Sequence, residues 1–196
     1  MAVTPRIEIK QSQSLLMTPQ LRQAMLSAIA CANDAIRQEA ARNAEYQHMG
    51  TTLVCAVARS DMAFIGNIGD SRAYHITPEG IFQISRDHSV VENMVAKGDL
   101  TPLEARTHPN RNLITRALGP DIHAKADTFE LPWHKDEFLL LCSDGLVNTV
   151  SDQEMLFEVL HDGDVNECLD HLLQISLQRG APDNITAVLL LNGEGR

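Results

Sequence analysis

The stretch Phe138-Leu-Leu-Leu-Cys-Ser-Asp-Gly-Leu-Val147 constrains the fold more than any other part of the chain. Its apolar run, Phe138 to Cys142, shows no polar alternation, so as a strand it must be covered on both faces and belongs in the middle of the molecule. Asp144 emerges where that strand ends. Gly145 lets the backbone turn sharply there and leaves room for something to approach closely. A carboxylate on such rigid support suits a metal site, but Asp is equally favoured as the cap of a following helix or turn. This segment alone leaves both readings open.

A chain of 196 residues with 44% hydrophobic content fits a single domain with a substantial core. Sixteen Lys and Arg against 26 Asp and Glu give a formal charge of -10, which disfavours nucleic acid or an anionic membrane as the main partner. The same balance suits a divalent cation. Cys31, Cys55, Cys142 and Cys168 are widely separated and make no zinc-type spacing, so they read as reduced core residues. No signal peptide is visible, and no apolar run approaches the roughly 20 residues of a membrane span. The expected location is the cytoplasm.

Residues 1–18 are polar and short of pattern, and are expected to form a poorly ordered leader before a domain covering residues 19–196. Thr18-Pro19 offers a helix start, and Leu21, Met25, Ile29, Ala32 and Ile36 continue one apolar face toward Tyr46. Short connections then join Thr51–Ala58 to Met62–Ile68 and Ser71–Ile76 to Ile81–Ile84, which predicts antiparallel hairpins. A helix is expected after Asp87-His88-Ser89 up to Gly98, and Thr101-Pro102-Leu103-Glu104 has the form of a capping box. Strands are expected again at Ala124–Leu131, Glu137–Cys142 and Ile185–Leu191, with helices at Ser151–Leu160 and Val165–Gln178. The sum is an α+β domain built on antiparallel sheet.

Acidic residues at strand ends or beside Gly and Asn carry the chemistry: Gly69-Asp70, Asp87-His88, Asp144-Gly145 and Asp183-Asn184. Carboxylate oxygens at such positions suit magnesium or manganese, which keep several of their own waters. Taken singly, each pair is also an ordinary turn dipeptide.

The ordered segments Met49-Gly-Thr-Thr-Leu, Ile68-Gly-Asp-Ser-Arg-Ala-Tyr74, Arg86-Asp-His-Ser89, Arg111-Asn-Leu-Ile-Thr-Arg-Ala-Leu-Gly119, Cys142-Ser-Asp-Gly-Leu146 and Asp183-Asn-Ile-Thr-Ala-Val188 together resemble the metal-dependent protein phosphatase (PPM, type 2C) family, bacterial branch. The resemblance implies an antiparallel β-sandwich flanked by helices and hydrolysis of phosphoserine and phosphothreonine by a metal-activated water, with Mn2+ or Mg2+. It implies Asp144 and Asp183 as metal ligands and Asp70 as a ligand of a looser additional metal. Asp87, Gly145 and Asn184 would be structural near the site. Residues 97–112 would form a flap over the substrate groove, with His108 and Arg111 as candidate substrate contacts. A phosphorylated protein would be the substrate, and a serine/threonine kinase a partner.

The chain also departs from the family. No phosphate-binding Arg segment and no Asp-Gly-x-Gly-Gly loop precede Gly50, the first glycine. Glu8, Asp34, Glu39 and Glu45 are the only acids before it, and the last three are spaced along a predicted helix for solvent. The resemblance therefore implies an N-terminally truncated domain, a half-built two-metal site, a single bound metal, weak activity at best and unpaired sheet edges. A catalytically degenerate domain that binds a phosphoprotein or kinase is the alternative. Residues 7–24, Ile-Glu-Ile-Lys-Gln-Ser-Gln-Ser-Leu-Leu-Met-Thr-Pro-Gln-Leu-Arg-Gln-Ala, resemble instead the N-terminal region of the nitrogen-type alternative sigma factor, which makes RNA polymerase contact a third reading.

Overall fold

The computed structural model describes residues 18–161 and 164–193. Helix α1 (Thr18–Arg42) leads to a 3-10 turn at Ala44–Tyr46, so the helix stops before the predicted Tyr46. Asn43 is the reason: its side chain accepts the Glu45 N–H and starts the new turn. The sheet strands are β1 (Leu53–Ala58), β2 (Met62–Ile68), β3 (Arg72–Thr77), β4 (Gly80–Gln83), β5 (Asp127–Pro132), β6 (Phe138–Cys142) and β7 (Ala187–Leu191). Between β4 and β5 lie α2 (Val90–Lys97) and α3 (Pro102–Thr107). The short α4 (Asp144–Val147), α5 (Asp152–His161) and α6 (Val165–Gln178) follow β6.

All strand pairs are antiparallel, and they make a three-stranded sheet β1-β2-β5 and a four-stranded sheet β4-β3-β6-β7. Side chains alternate across β6 as a strand requires. Leu139 faces inward and packs with Ala63, Ile65, Ala73, Leu131 and Trp133 between the sheets. Phe138, Leu140 and Cys142 face outward, under Leu146, Met155, Val159, Cys168 and Leu172 of α4, α5 and α6. On the far side, Met25 and Ile29 of α1 pack on Phe64 and Ile68 of β2. The fold is thus a β-sandwich with helices on both outer faces, as the unalternating run Phe138–Cys142 requires.

Several local expectations change. Cys31 is exposed on α1 and Cys55 is half-buried; only Cys142 and Cys168 are core residues, and none of the four forms a disulfide. β5 begins at Asp127, not at Ala124, because its pairing with β2 starts at Asn67↔Asp127. β7 begins at Ala187, not at Ile185, because the Thr186 N–H is taken by the Ser143 hydroxyl. Asp34, Glu39 and Glu45 are exposed, as their spacing predicts. β1 and β7 are edge strands, entirely apolar, and neither contains a fully buried residue.

Leu140 is fully buried at the centre of the outer core. Leu140→Ala should lower unfolding free energy by about 3 kcal/mol, through lost transfer energy and the cavity left behind. Urea denaturation checks this, and a loss below about 1 kcal/mol would place Leu140 outside the cooperative core.

Candidate metal centre and active site

Strand register brings the acidic turns together. Arg72 of β3 stands opposite Cys142 of β6, which stands opposite Ala187 of β7. The turn before β3, the turn after β6 and the loop before β7 therefore share one end of the sheet. They carry Asp70, Asp144 and Asp183 respectively.

Their like charges act on one another in pairs. Burial, followed by the negative charge of Asp144, pushes Asp70 up to about 6. Burial and then the charge of Asp183 raise Asp144 above the usual carboxylate range. Asp144 is thus the shared member of two like-charge pairs, and a cation between them would relieve both burial cost and repulsion. Among the described residues, no three His, Cys, Asp or Glu side chains stand close enough to hold a metal together. The donor set fits a hard divalent ion held by paired carboxylates and completed by water, the coordination magnesium favours and manganese shares. Cys142 offers no competing chemistry, since burial pushes its thiol up to about 12 and leaves no thiolate nucleophile.

The Asp70 turn is pinned from below. Gly69 adopts φ +101°, and a Cβ there would collide with the Thr52 side chain. Its N–H donates to His88 Nδ1 at 3.1 Å, and its carbonyl accepts the His88 N–H at 2.9 Å. With Nδ1 accepting, the His88 proton sits on Nε2 and is donated to Asp127 Oδ2 at 3.0 Å. Arg116 Nη1 donates to the other oxygen of Asp127 at 2.9 Å. Asp87 takes Arg72 in a two-pronged pair, with Nε at 3.0 Å and Nη2 at 2.7 Å, and also accepts from Gln83.

Asp144 opens α4, and Gly145 is buried against the neighbouring loop, where a Cβ would collide with the Asn184 carbonyl oxygen. Asp183 is exposed, and its Oδ1 accepts the Asn184 N–H at 2.7 Å. Arg179, at the end of α6, donates to the Thr149 carbonyl at 2.6 Å and pairs with Glu154, which anchors the chain just before the Asp183 loop.

The predicted flap, residues 97–112, starts at the last residue of α2 and contains α3. Ser89 caps α2, Gly98 ends it in the left-handed region, and the capping box of Thr101 and Glu104 opens α3. His108 is half-buried and its Nδ1 accepts the Asn110 N–H, so it braces its own turn. Arg111 is exposed. The chain just after the flap is tied to the site base: the Thr115 N–H donates to the His88 carbonyl at 2.7 Å, and Ile114 bridges Ser89. Sequence reasoning missed Arg116, Asp127 and Ser143. Arg116 and Ser143 lie inside the family-like segments, yet nothing local marks the roles of these residues, because their partners lie elsewhere in the chain.

Burial alone would raise Asp127, but the hydrogen bonds from His88 and Arg116 outweigh it and hold the carboxyl below its usual range. A depressed folded value contributes stability above the unfolded value of about 3.9, and this is lost as pH falls through the lower folded value. Asp127→Asn should therefore cost about 1–3 kcal/mol at pH 7 and lose less stability than the parent between pH 5 and pH 3, by urea unfolding. Equal acid sensitivity would show that Asp127 is not a linked group.

The comparisons agree with this geometry. The family model for Protein phosphatase 2C matches residues 6–189. Serine/threonine phosphatase stp of Listeria innocua is 33% identical over 181 residues, covering 92% of this chain and 72% of the relative. Serine/threonine protein phosphatase PstP of Mycobacterium tuberculosis is 35% identical over 164 residues, 83% of this chain and 31% of its own length. The crystal structure of serine/threonine phosphatase Stp1 from Staphylococcus aureus superposes with a TM-score of 0.86 at 38% identity, covering 92% of this chain and 71% of that one. With its antiparallel sandwich, outer helices and ordered acidic turns, the chain belongs to the protein phosphatase 2C family.

Proposed function

We propose that the chain is a metal-dependent protein serine/threonine phosphatase acting on phosphoserine and phosphothreonine in protein substrates. The observation that carries this reading is that the turns bearing Asp70, Asp144 and Asp183 share one end of the sheet, where Asp144 makes a like-charge pair with each of the other two. Those carboxylates are the groups that would hold Mn2+ or Mg2+. When bound, the cation supplies an activated water and offsets charge on the phosphoryl oxygens. The chain's own contribution is placement. β6 and the pinned Gly69 turn fix two of the carboxylates, and the Asn184 loop presents the third. A serine/threonine kinase is the matching partner, since it makes the phosphoprotein that this activity consumes. The cytoplasm suits both. No helix among the described residues is long and apolar enough to cross a membrane.

A second reading rests on the absence of three converging donors among the described residues. With only paired carboxylates, the domain could hold a cation and a phosphorylated protein or kinase without turning substrate over.

Purified chain with Mn2+ should release phosphate from a phosphothreonine peptide. Chelation with EDTA should stop the reaction, and Asp144→Asn should lower it by at least about a hundredfold. Phosphopeptide binding without release at saturating Mn2+ would favour the binding domain instead.

A further inference from the structure

Ser143 occupies the N-cap of α4, with extended backbone at φ -74° and ψ 164°, yet its side chain makes no capping hydrogen bond. Serine at this position ordinarily accepts an N–H of the first helical turn, a contact worth about 0.5–2 kcal/mol. Here the hydroxyl is turned to a different segment of chain. Ser143 Oγ accepts the Thr186 N–H at 3.0 Å and donates to the Asn184 carbonyl at 3.3 Å. The Ser143 backbone N–H adds a third bond, to the Thr186 carbonyl at 2.9 Å. Two residues on, Gly145 lies so close to the Asn184 carbonyl oxygen that no side chain fits between them.

Asp144 is thus held on both sides against Asn184–Thr186, and Asp183 directly precedes that segment. The two chain segments joined here therefore carry like charges, Asp144 on one and Asp183 on the other. β-pairing holds β7 only from Ala187 onward, where it stands opposite Cys142. Beyond that pair the strands have ended, and the Ser143 hydroxyl continues the join by one side-chain clamp. We propose that Ser143 is a positioning residue. Its hydroxyl fixes the separation of Asp144 and Asp183 so that the pair can take a divalent cation, and the forgone helix cap is the cost of that placement. The inference rests on the metal-site reading above.

The test is calorimetric titration of the full chain with Mn2+, together with its melting temperature in EDTA. Ser143→Ala should weaken Mn2+ binding about ten- to a hundredfold, the usual effect of removing a group that orients a metal ligand. Ser143→Thr keeps the hydroxyl and should bind within about threefold of the parent. If the alanine variant does not fold, Ser143→Cys replaces it, since sulfur keeps the shape but is a weak hydrogen-bond partner. A folded Ser143→Ala or Ser143→Cys chain with parental Mn2+ affinity would overturn the positioning role and leave the metal reading intact. If neither the parent nor any variant binds Mn2+, both are overturned.

Discussion

The register between β3, β6 and β7 is the constraint on which the rest of the molecule depends. In antiparallel sheet a slip of one residue exchanges the two faces of a strand. For β6 that slip would send Leu139 under the helices and Leu140 between the sheets, and would break both apolar layers at once. The pairing that keeps Leu139, Leu140 and Cys142 in place also aligns Arg72, Cys142 and Ala187 across three strands. The acidic turns are carried to one place by core packing. No attraction between the carboxylates contributes, since they repel.

That repulsion needs opposing supports, and the sheet end supplies them in pairs. Below Asp70, His88 holds both polar groups of the Gly69 peptide while Asp127 fixes its tautomer. Beside it, Arg72 and Asp87 neutralise each other within the sheet. Around Asp144, the Ser143 hydroxyl and the Gly145 close approach bind the turn to the Asn184 segment. Two arginines near the site are thereby paired with carboxylates: Arg72 with Asp87 and Arg116 with Asp127.

Much of this was legible in the sequence because its signals are local. β6 could be placed from five residues without alternation, and α2 and α3 from Ser89, Gly98 and the Thr101–Glu104 box. The hairpins followed from short polar connections, and the set of acidic turns from strand-end aspartates. Features that depend on distant partners were not legible. Asp127 and Arg116 gain meaning only through His88, and Ser143 reads locally as a plain helix cap. Cys31 looked like a core residue because its neighbours on α1 are apolar, yet it falls on the exposed face of the helix. The apolar face of α1 continues toward Tyr46, but Asn43 ends the helix by a side-chain bond that composition does not reveal. The resemblance in residues 7–24 falls largely outside the described residues.

The central claim is that Asp70, Asp144 and Asp183 gather at a single end of the sheet, where Asp144 pairs with each of the other two to take a cation. Paramagnetic broadening of backbone amide signals by substoichiometric Mn2+ tests it most directly. The account predicts losses centred together on Gly69-Asp70, Asp144-Gly145 and Asp183-Asn184, with the β3–β4 hairpin tip at Pro78-Glu79 unaffected. Broadening centred on other acids, such as Asp99 and Glu104 of the flap, or confined to one of the three turns, would contradict it.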